Sequence, residues 1–151
     1  MPARIPFTKE GYENIRKEKN ILLLKRPGIL EELKKAREMG DLKENGAYRG
    51  ARMSLSSLDG RMRHLDHLLR YGFVVGKTGN EKVGIGSVVS VENGAEKKFY
   101  TLVGIFEADP AHGKVSFESP IGKALFGKKA GDIATLESPQ GQSLLRILEI
   151  S

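Results

Sequence analysis

An alternation of apolar residues at gaps of three and four constrains this chain more than any other feature. Between Ala47 and about Tyr71 the pattern is unbroken, at Tyr48, Ala51, Leu55, Leu58, Met62, Leu65 and Leu69. The upstream segment repeats it at Tyr12, Ile15, Lys19, Leu22, Arg26, Ile29, Leu33 and Ala36. Aliphatic stems of lysine and arginine can lie along apolar surface. The spacing is typical of a coiled-coil seam, so the two segments are predicted to be paired helices.

The connection between the helices is short, which predicts an antiparallel hairpin. Gly40 suits the left-handed residue past a helix end, and Asp41 directly after it can cap the next helix. Thr8 makes a plausible start for the first helix, which would then run about 30 residues and roughly 45 Å. Pro27 lies inside it and predicts a kink or a local break.

After Tyr71 the helical period is lost, and Gly-rich and polar residues predict a linker with a short strand. Alternating or β-branched runs then predict strands at Ser87–Val91, Lys98–Phe106, Lys114–Phe117, Asp132–Leu136 and Ser143–Ile150. Turn residues between the runs favour a small, mostly antiparallel sheet, with one helical turn at Lys123–Phe126. The predicted fold class is α+β, with a hairpin at 1–75, a linker at 76–83 and a sheet domain at 84–151.

Composition narrows the class of protein further. With 39% hydrophobic and 29% charged residues the chain is predicted to be globular. We find neither the pattern of a signal peptide nor an apolar run long enough for a membrane span, so we expect a cytoplasmic location. Cysteine is absent, which excludes disulfides and thiolate metal sites. Residues 1–75 hold 16 Lys/Arg against 10 Asp/Glu, whereas 76–151 hold nine of each, so the net charge of +6 falls in the first half. This excess indicates either a polyanionic partner such as nucleic acid or a solvated helix surface.

Two carboxylates, Asp41 and Glu44, stand three positions apart between the predicted helices. One interpretation is a helix cap, because Asp before a helix and Glu at its third position satisfy free N–H groups. The other is a shared ligand set for Mg²⁺, which two carboxylates can hold when a partner supplies the remaining oxygen atoms. Spacing alone leaves both interpretations open.

Basic residues flank this pair. Arg37, Arg49 and Arg52 could contact phosphates or form a solvated face, and Arg49 and Arg52 are spaced to share one side of a helix. His64 and His67 lack a converging third ligand and are interpreted as surface or seam-flanking residues. The chain has no nucleophile elbow or phosphate-binding loop, so catalysis of its own is not predicted.

Two stretches resemble the bacterial Gre-type transcript cleavage factors. The first runs from Ala36-Arg37-Glu38 through Gly40-Asp41-Leu42-Lys43-Glu44-Asn45 to Tyr48, Ala51 and Arg52. The second is Ser119-Pro120-Ile121-Gly122-Lys123-Ala124-Leu125-Phe126-Gly127-Lys128, followed by Gly131-Asp132. The resemblance covers nearly the whole chain, with both motifs in the family's order.

The resemblance implies a coiled-coil hairpin that enters the secondary channel of RNA polymerase, and a C-terminal domain similar to FK506-binding proteins that docks at the channel entrance. Asp41 and Glu44 would help to bind a catalytic Mg²⁺ held jointly with the polymerase, which then cleaves backtracked RNA. Arg37 and Arg52 would face the RNA 3′ end, with Arg49 nearby, and Ser119, Pro120 and Ile121 would contact the polymerase. The chain would act as a monomer and as an activator, without enzymatic activity of its own.

One departure from the family pattern is Ala47, where many members carry an acidic residue; Gly46 and Gly50 are also poor helix formers. A weaker magnesium site is therefore expected, with cleavage that needs more magnesium. Three alternatives remain open at this point: a secondary-channel regulator without cleavage, a peptidyl-prolyl isomerase, and a general nucleic-acid-binding coiled coil.

Overall fold

The computed structural model describes residues 3–40, 45–77 and 79–151. The chain forms two compact units, Glu13–Tyr71 and a second unit that joins the chain up to Tyr12 with Gly72–Ser151. The sequence predicted a hairpin at 1–75, a linker at 76–83 and a sheet domain at 84–151. That division groups the first twelve residues with the hairpin, whereas the structure groups them with the sheet. The reason is a pair of short strands, β1 (Ile5–Phe7) and β2 (Gly72–Val74), which run parallel and connect the two ends of the second unit.

The hairpin consists of α1 (Lys9–Glu38) and α2 (Gly46–Tyr71). Every predicted seam position is buried or half-buried, as expected for paired helices. The direction of pairing follows from the ion pairs Lys19–Asp66 and Arg26–Asp59, in which one residue number rises as the other falls. The predicted antiparallel hairpin is therefore confirmed.

The start and the interior of α1 test two predictions. Thr8 caps the helix, because its hydroxyl oxygen accepts a hydrogen bond from the Gly11 N–H at 3.0 Å. Of the two outcomes predicted at Pro27, the local break is wrong, since α1 continues through it, and the kink stays a prediction. Pro27 is exposed, so the carbonyl of Leu23 that loses its helical donor can be hydrated, and the Arg26–Asp59 ion pair supports the adjacent position.

The larger sheet has the strand order β5-β4-β3-β7-β6. Its strands are β3 (Val88–Asn93), β4 (Glu96–Val103), β5 (Lys114–Ser116), β6 (Ile133–Ser138) and β7 (Gly141–Ile150). All neighbours are antiparallel except β4 and β5, and the core lies on one face of the sheet, around side chains that include Val89, Val91, Leu102, Leu125 and Ile147. The α+β fold class is confirmed.

A short helix, α3 (Pro120–Leu125), covers part of this core through Leu125. It begins three residues before the predicted turn at Lys123–Phe126. Ser119 explains the earlier start, because its hydroxyl oxygen accepts the Gly122 N–H at 3.1 Å, and Pro120 occupies the first helical position, where no N–H is needed.

Glu107 links the beginning of the chain to the sheet unit. Its carboxylate accepts hydrogen bonds from the backbone N–H groups of Thr8 at 3.0 Å and Gly104 at 2.9 Å, and it also contacts the Thr8 hydroxyl. The residue that caps α1 is thus itself held by a carboxylate about a hundred positions away in sequence.

Candidate functional site at the hairpin tip

We define the hairpin tip as residues 36–52. Within it, Asn45 forms hydrogen bonds to both helices. Its side-chain oxygen accepts a hydrogen bond from the Tyr48 N–H at 3.1 Å, so Asn45 is the cap of α2. Its side-chain N–H donates to the Ala36 carbonyl oxygen at 2.6 Å, which satisfies a free group at the end of α1. One side chain therefore joins the end of the first helix to the start of the second. Gly40 has a φ of 112°, which confirms the prediction that a glycine is needed here.

Asp41 and Glu44 lie outside the described residues. In the described part of the chain α2 begins at Gly46, so the residue before it is Asn45 and its third position is Tyr48. Both interpretations of Asp41 and Glu44, as a capping pair and as metal ligands, stay predictions.

Replacing Asn45 by alanine should lower the free energy of unfolding of the hairpin by about 1 kcal/mol, because the cap is lost. Asn45→Asp keeps the oxygen that accepts from Tyr48 but places a carboxylate oxygen against the Ala36 carbonyl, so it should recover only part of the lost stability. Thermal unfolding followed by circular dichroism at 222 nm measures the difference. Equal melting temperatures for wild type and Asn45→Ala would contradict the assigned cap.

The arginines at the tip come from both helices. Arg37 of α1 and Arg52 of α2 lie on the ring of Tyr48, with guanidinium carbons 5.9 Å and 5.7 Å from the ring centroid. Arg49 and Arg52 line one shallow groove, as their spacing predicted. All three arginines are exposed. The structure thus brings the predicted basic residues together at one end of the hairpin, and the ring between two of them was not predicted.

Two arginines further along the hairpin are paired with carboxylates. Glu18 binds Arg61 at 2.8 Å and Asp59 binds Arg26 at 2.9 Å. Hydrogen bonds from these arginines lower the pKa of both carboxyl groups. By contrast, no carboxylate among the described residues forms an ion pair with the tip arginines. Charged guanidinium groups that are not paired with a carboxylate are suited to bind a phosphate.

Ala47 and Gly50 lie on the other side of the seam from the arginines. They line a groove with Glu32, Lys35, Ala36, Met39 and Ala51, which is mostly apolar. A Cβ atom added to Gly50 would meet nothing within 4 Å. Ala47 is exposed, so the position where many members of the resembled family carry an acidic residue has room for one.

The three residues predicted to contact a polymerase differ in exposure. Ser119 is engaged as the cap of α3, and it also donates a hydrogen bond to the Ser116 carbonyl at 2.6 Å. Ile121 is half-buried and packs against the core. Pro120 is exposed. Their assignment to polymerase binding stays a prediction, with Pro120 the residue best placed for direct contact.

The described parts of the chain contain no group of three or more His, Asp or Glu side chains that could hold a metal ion. His67 is exposed and His64 is half-buried. Within the same parts, no helix is long and apolar enough to cross a membrane.

Known sequences match both units. Residues 5–72 match the family described as "Transcription elongation factor, N-terminal", and residues 78–151 match "Transcription elongation factor, GreA/GreB, C-term". The chain belongs to the GreA/GreB family of transcription elongation factors. The identification agrees with the two motifs and with the observed fold.

Individual GreA/GreB proteins match over nearly their full length. The transcription elongation factor GreA of Thermomicrobium roseum is 40% identical, and the alignment covers 97% of each chain. GreA of Nitratiruptor sp. is 38% identical, over 99% of this chain and 94% of that protein. A solved structure of the transcription factor Gfh1 is 26% identical over 99% of both chains, with a TM-score of 0.50.

Asn45 and Tyr48 are the tip residues whose roles sequence reasoning missed. Asn is among the most favoured helix caps, so Asn45 was recognisable in principle. Because Asp41 was predicted to cap the second helix, that helix was predicted to begin at residue 42, four residues before its observed start at Gly46. The roles of Asn45 and Tyr48 near the true start were therefore not recognised.

Proposed function

We propose that this elongation factor binds RNA polymerase, inserts the hairpin tip into its secondary channel, and stimulates the polymerase's own cleavage of backtracked RNA. The observation that carries the proposal is the arrangement of the described residues at the tip. Asn45 joins the end of α1 to the start of α2, on either side of Asp41 and Glu44 in sequence. The exposed arginines Arg37, Arg49 and Arg52 lie at the same end of the hairpin.

The chemistry of these two residues fits Mg²⁺. They offer only oxygen donors, which a hard cation prefers, and two carboxylates are enough when polymerase and RNA supply the other ligands. When bound, the ion would supply stabilisation of charge on the phosphate that is attacked. Asp41 and Glu44 would hold it and orient a water molecule by accepting its hydrogen bonds. Catalysis would belong to the polymerase, so the factor would be an activator without a separate activity.

Other surfaces of the chain support contact with polymerase and RNA. The exposed arginines at the tip would contact phosphates of the RNA 3′ segment. Exposed Pro120, supported by the Ser119 cap and the packing of Ile121, would contact the polymerase. We expect the factor to work in the cytoplasm as a monomer, because bacterial transcription takes place there and the proposed mechanism needs one tip.

The test uses elongation complexes stalled in a backtracked state, with RNA labelled at its 5′ end. Adding the protein should shorten the RNA from its 3′ end over minutes, in a magnesium-dependent way. Ala47→Glu, which restores a third carboxylate at an exposed position, should shift the reaction to lower magnesium concentration. Binding to polymerase is measured separately by fluorescence anisotropy.

A bound factor that shortens no RNA at any magnesium concentration would contradict the proposal. It would support the alternative of a regulator without cleavage, which Ala47 motivates. Binding to free RNA without binding to polymerase would instead support a general nucleic-acid-binding coiled coil.

A further inference from the structure

Tyr48 lies at the meeting point of the two helices. It is half-buried on the seam, and its backbone N–H is held by the Asn45 side chain at 3.1 Å. Its ring contacts one arginine from each helix, Arg37 at 5.9 Å and Arg52 at 5.7 Å between guanidinium carbon and ring centroid. Both distances fall within the range of cation–π attraction. The ring therefore sits on a fixed backbone and attracts two positive charges that would otherwise repel each other.

This arrangement differs from the other arginine contacts along the hairpin. Arg26 and Arg61 each donate two hydrogen bonds to a carboxylate, which occupies some of their five N–H groups and offsets their charge. A ring face attracts the cation without accepting its N–H groups, so the donors of Arg37 and Arg52 remain available. An arginine side chain also has considerable rotamer freedom, and holding it in place beforehand lowers the cost of binding a ligand.

We infer that Tyr48 is a positioning residue that holds Arg37 and Arg52 as a two-arginine clamp for a phosphate of the RNA 3′ segment. The inference rests on the proposed function for the identity of the ligand. Guanidinium groups match the oxygen geometry of a phosphodiester, and two of them, supplied by different helices, restrict where the RNA backbone can lie. Tyr48 itself contacts the arginines and not the RNA.

The experiment compares Tyr48→Phe with Tyr48→Leu. Phenylalanine keeps the ring face, whereas leucine keeps an apolar side chain at the seam without a ring. The readout is the ratio of affinities for a backtracked complex and for the same complex without extruded RNA, measured at two salt concentrations. This preference does not require cleavage, so it separates failure of the clamp from failure of the proposed function.

Wild type and Tyr48→Phe should both prefer the backtracked complex, within about twofold of each other, and Tyr48→Leu should lose about tenfold of that preference, as expected for two weak cation–π contacts. In an Arg37→Ala/Arg52→Ala background Tyr48→Leu should add little, because its effect acts through those arginines. If wild type shows the preference but no cleavage, the clamp stands and the proposed function fails.

Three results would overturn the clamp. One is a wild-type factor with equal affinity for both complexes. Another is a full effect of Tyr48→Leu in the background that lacks both arginines. The third is loss of preference in Tyr48→Phe as large as in Tyr48→Leu, which would assign the role to the hydroxyl or to seam packing. Melting curves of all variants identify any loss that merely follows unfolding.

Discussion

Replacing Asp41 by Asn and Glu44 by Gln together should slow factor-dependent RNA cleavage by about 100-fold or more, because a bound metal ion supplies several kcal/mol of transition-state stabilisation. The two changes keep the size of each side chain and remove only the charge and basicity that a cation needs. Stability should change little, since Asn45 caps α2. The measurement is the single-turnover rate of RNA shortening at saturating factor.

The matched control is Glu38→Gln, which removes a nearby negative charge at the end of α1. It should cleave at close to the wild-type rate, and both variants should bind polymerase with unchanged affinity. A double variant that cleaves as fast as wild type would refute the assignment of Asp41 and Glu44. If Glu38→Gln slowed cleavage as much as the double variant, the effect would come from the total negative charge at the tip and not from metal binding by Asp41 and Glu44.

The second large effect is expected in the sheet unit. Gly122→Ala would place a Cβ atom 1.9 Å from the Ser116 carbonyl oxygen and 2.9 Å from the Phe117 Cα. Both neighbours are backbone atoms, so relief requires α3 to move away from the strand that precedes it. We expect a destabilisation of about 3 kcal/mol, at the upper end for overpacked cores, and a melting temperature lower by roughly 10 °C or more.

Gly76→Ala is the matched control in the same unit, because a Cβ atom there meets nothing within 4 Å. It should melt within about 2 °C of wild type, since small surface changes usually have small effects. Gly122→Ala should also weaken polymerase binding, because Ser119 and Pro120 depend on the position of α3. Wild-type stability in Gly122→Ala would show that this close approach is not present in solution.

Local features of the sequence predicted much of the fold. The seam was predictable because helical periodicity depends only on neighbouring residues, and each of its positions is buried or half-buried. Thr8 and Gly40 were predictable for the same reason: a cap and a positive φ are properties of a few consecutive residues. The strands of the larger sheet also followed from alternation and turns, although the parallel pairing of β5 with β4 did not.

The candidate site was predictable in part. The sequence alone singled out Asp41, Glu44 and the three tip arginines, because charged residues beside a helix connection are visible without a structure. It did not distinguish a helix cap from a ligand set, since both patterns use the same residue types at the same spacing. In the structure Asn45 caps α2, while the roles of Asp41 and Glu44 stay predictions.

By itself, then, the sequence determined which residues form the helices, most of the strands and the charged tip, because these depend on short-range order along the chain. Only the tertiary structure decided the pairings between distant segments: β1 with β2, Glu107 with Thr8, Asn45 with Ala36, and Tyr48 with an arginine from each helix. Those contacts form because packing of the whole chain brings the partners within a few ångströms, and no local pattern records which partner a side chain will meet.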